Sequence, residues 1–140
     1  MLRAIVASIA LAALGACDTF PTWDNPFTRP PVAVQVGESN APAPITLARN
    51  QTLVVTLEAN ITTGYRWEVV GDVGPVLMQV GTADYVPRAF PAPPGAAGDM
   101  TFRFRAQSAG ATTLELAYRR PFEPNAAAAK TVRYEVAVRG

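Results

Sequence analysis

The chain has 140 residues, one cysteine and no histidine, with 12 basic against 11 acidic side chains. That length holds one domain, and the near-neutral balance argues against nucleic acid or acidic polymers as partners. Without histidine, Ser-His-Asp and Cys-His catalysis are excluded, as is a histidine metal site, and a single cysteine builds neither a thiolate zinc site nor an intramolecular disulfide.

Met1-Leu2-Arg3 is a short basic start, and Ala4 to Gly15 is almost wholly apolar. A dozen apolar residues are too few to span a bilayer as a helix, so residues 1–16 read as a secretion signal. Leu14-Gly15-Ala16-Cys17 resembles a bacterial lipobox, which implies a lipid on Cys17 as the first mature residue. Asp18 next to it resembles an inner-membrane retention signal. The implied location is the bacterial cell envelope, lipid-anchored and facing the periplasm. Losing Arg3 leaves equal numbers of basic and acidic side chains, so membrane contact is expected from the anchor.

Residues 17–44 carry Pro21, Pro26, Pro30, Pro31, Pro42 and Pro44, a density incompatible with helices or central strands. They read as a tether with an edge strand near Val32–Val36, its Phe20, Trp23 and Phe27 packing on the domain or lying at the lipid interface. From Ile45 the pattern takes period two, the mark of half-buried strands. Leu53, Val55, Leu57 and Ala59 form one inward set, and Tyr65, Trp67 and Val69 the next. Val76 to Val80 is a short apolar run, and Gly81 to Gly98 is a long breaker region. Met100, Phe102, Phe104 and Ala106, then Thr112, Leu114, Leu116 and Tyr118, then Val132, Tyr134, Val136 and Val138 complete the inward sets. Only Asn125 to Lys130 suits a helical turn. The prediction is an all-β, immunoglobulin-like β-sandwich of about seven strands over residues 45–140.

Glu58, Glu68, Glu115 and Glu135 fall on outward strand positions, where they read as solubilising charges and not as a paired-carboxylate site. No glycine loop precedes a helix as phosphate binding requires. No enzyme, metal or cofactor is therefore expected. Three connections are richer than plain turns: Asn60-Ile61-Thr62-Thr63-Gly64, Gly95-Ala96-Ala97-Gly98 and Arg120-Pro121-Phe122.

Asn60 to Trp67 resembles the N-P-T-T-G-Y-x-W loop of the chagasin family, inhibitors of papain-like cysteine proteases. Gly95 to Gly98 is similar to its G-x-G-G loop, and Arg120-Pro121-Phe122 to its R-P-W or R-P-F loop, in the family order. The resemblance implies a reversible, non-covalent inhibitor, a monomer with a papain-like cysteine protease as partner. Three loops at one end of the sandwich would then wedge into the active-site cleft without offering a cleavable peptide. The protease-binding set it implies is Asn60, Ile61, Thr62, Thr63, Gly64, Gly95, Ala96, Ala97, Gly98, Arg120, Pro121 and Phe122. Tyr65 and Trp67 share an inward phase and are expected to root the first loop, and Asn60 to close a turn through its side chain. Ile61 stands where the family has proline and Ala97 where it has glycine. These departures leave a second reading open, a lipid-anchored protein-binding module of the envelope without protease inhibition.

Overall fold

The computed structural model describes residues 33–140. The signal, Cys17 and the aromatic residues Phe20, Trp23 and Phe27 lie outside the described residues. Among these residues nine strands follow in order: β1 Val34–Val36, β2 Ile45–Ala48, β3 Thr52–Ala59, β4 Arg66–Val70, β5 Leu77–Gln79, β6 Asp84–Pro87, β7 Gly98–Ala106, β8 Gly110–Arg119 and β9 Lys130–Arg139. They form two sheets. One has the order β1-β3-β7-β5, with β6 also on β7, and the other runs β2-β9-β8-β4. This is the expected all-β, immunoglobulin-like sandwich.

The alternation that defined the strands also fills the space between the sheets. Leu53, Val55, Leu57, Phe104, Leu114, Leu116, Tyr134 and Val136 are at most 1% exposed, and Trp67, Phe102 and Val138 are buried beside them. Each such large side chain contributes about 1.5–3 kcal/mol by leaving water. Among the described residues the strands and the buried core span Val34–Arg139.

Three details correct the sequence reading. The edge strand expected near Val32–Val36 is present and belongs to the sandwich, so among the described residues the domain reaches back past Ile45 to Val34: β1 pairs in parallel with the first half of β3, and Val36 is buried in the core. The breaker region holds a strand, since β6 pairs Asp84, Tyr85, Val86 and Pro87 with Thr101, Met100, Asp99 and Gly98. Pro87 is tolerated because it ends that strand, on a sheet margin. Finally, residues 125–129 are turn and irregular backbone leading into β9, which already includes Lys130, and the helical turns among the described residues are 3₁₀ turns at Glu38–Asn40 and Ile61–Thr63.

Strand direction gives the sandwich two poles. At one, β3 ends opposite the start of β7 (Ala59 with Gly98), and β4 starts opposite the end of β8 (Arg66 with Arg119). The three motif-bearing connections therefore leave the sheets at the same pole. At the other pole β3 begins and β7 ends (Thr52 with Arg105), and β2 and β9 both end (Ala48 with Arg139).

Candidate functional site: three interlocked loops

The first loop is a closed turn. Asn60 is the N-cap of the 3₁₀ turn, and Thr63 N and Gly64 N donate to Asn60 O (3.3 Å) and Ile61 O (3.1 Å). Gly64 closes it in the left-handed region at φ 82°, a conformation that a Cβ disfavours. Asn60 Oδ1 accepts from Thr62 N (3.2 Å) and Thr62 Oγ1 (2.6 Å), and Thr63 Oγ1 donates to Asn60 O at 2.6 Å. Both threonine hydroxyl protons are thus committed inside the turn. What Thr62 and Thr63 offer outward is methyl surface and oxygen lone pairs, which accept hydrogen bonds and donate none. Ile61, Thr62 and Thr63 are exposed.

The same asparagine ties the first loop to the second, its Nδ2 donating to Gly95 O at 2.9 Å. Asn60 thereby turns its side chain into the protein, in keeping with the turn-closing role expected of it. Residues 88–97 cap the β6–β7 hairpin, with Arg88 N donating to Ala97 O. At the hairpin root the Arg88 guanidinium bridges Glu58 of β3 and Asp99 of β7. Those hydrogen bonds raise the arginine above its ordinary pKa, and Arg88 in turn draws the Asp99 carboxyl below the usual carboxylate value. Gly95 is exposed and Ala96 and Ala97 half-buried, whereas Gly98 is buried. A Cβ on Gly98 would lie 2.4 Å from the Tyr85 ring, so this glycine makes room for packing inside the sheet.

The third loop leans on the first. The Phe122 ring lies against Gly64, where an added Cβ would come within 3.1 Å of it. The ring is 68% exposed, leaving one face for a partner. Arg120 places its guanidinium 4.7 Å above the Tyr65 ring, and Tyr65 stacks on Tyr118 at 5.3 Å. The column continues to Trp67, 5.1 Å from Tyr118, whose indole Nε1 donates to Glu58 O. Cation–π and ring contacts of this kind fix loop roots. Arg120 Nε is buried without a hydrogen-bond partner among the described residues, while Nη1 reaches Glu123 at 3.4 Å.

Sequence reasoning passed over two contributors. Tyr118, read as an inward strand residue, also reaches the first loop: its hydroxyl accepts from Asn60 N at 2.8 Å. Phe90, in the β6–β7 hairpin tip, is 96% exposed at the same pole. The alternation in Asp84-Tyr85-Val86 was the available signal for β6 and hence for a hairpin there. Among the described residues no cluster of acidic or cysteine side chains suits a metal ion.

Residues 46–136 match the profile of the chagasin family peptidase inhibitor I42. The chain belongs to the chagasin family of peptidase inhibitors. Its members are inhibitors, and the chain is not an enzyme. Among solved structures it is similar to Amebosin, at 30% identity and a TM-score of 0.64 over 76% of this chain and 98% of that one. It also shares its fold with the cysteine protease inhibitor EhICP2 of Entamoeba histolytica, at 20% identity and a TM-score of 0.65 over 76% of this chain and 95% of that one. No curated protein matches the chain in sequence. The matched segment spans all three chagasin-type loops.

Proposed function

We propose that this chagasin-family protein is a reversible, non-covalent inhibitor of papain-like cysteine proteases. Thr62, Thr63 and Gly64 enter the cleft, and Gly95, Ala96, Ala97, Arg120, Pro121 and Phe122 brace the turn against its walls. Asn60 and Gly98 act mainly by shaping the loops, and the exposed Ile61 side chain adds apolar contact beside the threonines. One observation carries this reading: the loops are already tied to one another, through Asn60 to Gly95 and through Gly64 to Phe122. A preformed surface loses little conformational entropy on docking, so its contacts convert into affinity. The 3₁₀ turn presents short, stiff threonine side chains suited to a narrow slot.

The same reading places a lipid on Cys17, residues 17–33 as the tether, and the inhibitor on the periplasmic face of a bacterial membrane. The lipobox-like Leu14-Gly15-Ala16-Cys17 supports it. Mass spectrometry of the mature protein tests this part: a Cys17 carrying lipid is expected, and an unmodified N-terminus after Ala16 would refute it.

The inhibitory part is tested by titrating residues 18–140 against papain and cathepsin L. Tight, reversible loss of peptide hydrolysis, relieved by dilution, is the expected result. Full activity in a large molar excess of folded protein would reject it.

A further inference from the structure

The pole opposite the loops has its own chemistry. An open cleft of about 400 Å³ lies there, lined by Arg49, Asn50, Met78, Arg105 and Gln107. Arg88, Arg103, Arg119, Arg120, Arg133 and Lys130 each meet a carboxylate. Arg49, Arg66, Arg105 and Arg139 have no ion pair among the described residues, and all but Arg66 sit at this pole. Arg49 Nε donates to Gln107 O, which fixes that side chain across the cleft mouth. Asp72, in the β4–β5 connection, accepts from Gly74 N and forms no ion pair with these arginines among the described residues. Two guanidinium groups lining one open cleft, with no counter-ion among the described residues, form a receptor for an oxyanion.

The chain enters the fold at this pole, because Val34 at the start of β1 pairs with Leu53 at the start of β3. A chain of the length of residues 17–33 reaches at most about 60 Å. The sandwich, judged by a ten-residue strand such as β8, is about 33 Å long. The tether therefore cannot by itself dictate which pole meets the membrane. A second contact at the entry pole can.

We propose that the Arg49–Arg105 cleft binds the phosphate of an anionic phospholipid headgroup. It would dock the entry pole on the bilayer and point the inhibitory loops away from it. The direction of docking builds on the proposed anchor at Cys17; headgroup binding does not require that bacteria attach the lipid. Because Cys17 is the only thiol, residues 17–140 couple at a single site to a maleimide-bearing lipid in vesicles. Hydrogen exchange is then compared on phosphatidylcholine alone and on phosphatidylcholine containing phosphatidylglycerol.

On the anionic vesicles, slower exchange is expected in residues 48–51 and 105–110, with the 60–64 turn unchanged. Arg49→Gln with Arg105→Gln should remove that protection and weaken headgroup binding by roughly thirty-fold, the usual scale for two arginines at an anionic leaflet. Arg105→Gln alone, which breaks no ion pair or hydrogen bond among the described residues, should remove much of it and so controls for disturbance of the Arg49 turn. Equal protection on phosphatidylcholine, protection of the 60–64 turn instead, or persistence in the double variant overturns the proposal. Equal protection of uncoupled protein by inorganic phosphate also overturns it, since the cleft would then serve a soluble anion. Papain inhibition in solution should be the same for parent and double variant, so failure here and failure of the inhibitory reading show up in different measurements.

Discussion

The two poles of one sandwich use polar groups in opposite ways. At the loop pole the hydroxyls of Thr62 and Thr63, the Asn60 amide, the Tyr118 hydroxyl and the Arg88 guanidinium are all engaged inside the protein. What remains outward is mostly the Ile61 side chain, threonine methyl groups and lone pairs, and the faces of Phe122 and Phe90, with Arg66 as the exposed cation at the edge of this pole. At the entry pole Arg49, Arg105 and Arg139 are exposed and have no ion pair among the described residues. The first arrangement suits a rigid fit into a partner of fixed shape, where ordering on binding is costly. The second suits a soft, charged surface where long-range attraction matters more than shape. A single fold separates the two demands by putting them at opposite ends of the same strands.

The comparison can be broken most severely at Gly64. Gly64→Val forces a β-branched residue into the left-handed region and against Phe122. Inhibition should fall by about a hundred-fold or more, with the entry-pole cleft unaffected in its hydrogen exchange. Retained inhibition in a titration against papain would detach the turn from function. Phe122→Ala comes next. It should cost about 2 kcal/mol of binding, roughly thirty-fold in the inhibition constant, with little change in melting temperature because the ring is mostly exposed. An equal loss of stability would instead make it a packing residue.

A smaller and opposite effect is expected at Ile61. This residue is the first of the 3₁₀ turn, where a missing N–H is harmless and a fixed φ is favourable. Ile61→Pro should raise stability by about 0.5 kcal/mol and leave inhibition intact or tighter in the same assay. The smallest effect concerns pH. Arg88 holds the Asp99 carboxyl below its ordinary value, so their contact stabilises the hairpin above about pH 4 and weakens as pH falls through the lowered pKa. The melting-temperature gap between parent and Arg88→Met should be steady from neutral pH downward and close in strong acid. A gap that survives there would mean that Arg88 acts through packing alone.

The sequence revealed the sandwich because nearly every core position belongs to a period-two set, as in Leu53-Val55-Leu57 and Val132-Tyr134-Val136-Val138. It revealed the loops because they interrupt those sets with residues that plain turns do not need. β1 escaped the domain boundary because the surrounding prolines outweighed three residues of alternation. β6 was hidden for the same reason, its Asp84-Tyr85-Val86-Pro87 ending in a breaker that the sheet margin accepts. The asparagine that binds two loops together was legible as a turn former, but not as a link to Gly95, since that contact spans 35 residues. The entry-pole cleft was illegible altogether. Arg49 and Arg105 are ordinary solvated charges in sequence, and only the pairing of Thr52 with Arg105 brings them together.

The short outer strands carry one more consequence. β1 and β5 have three residues each, β2 has four, and β6 ends in Pro87. The longer outer strand β4 carries Arg66 and Glu68, the latter clamped by Arg119. An exposed strand edge is a template on which another chain can polymerise, and nature blunts such edges by brevity, charge and proline. All three devices are present in this molecule. Among the described residues no outer strand is longer than the five residues of β4, so even highly concentrated copies find only short, charged edges on which to zip into a fibre.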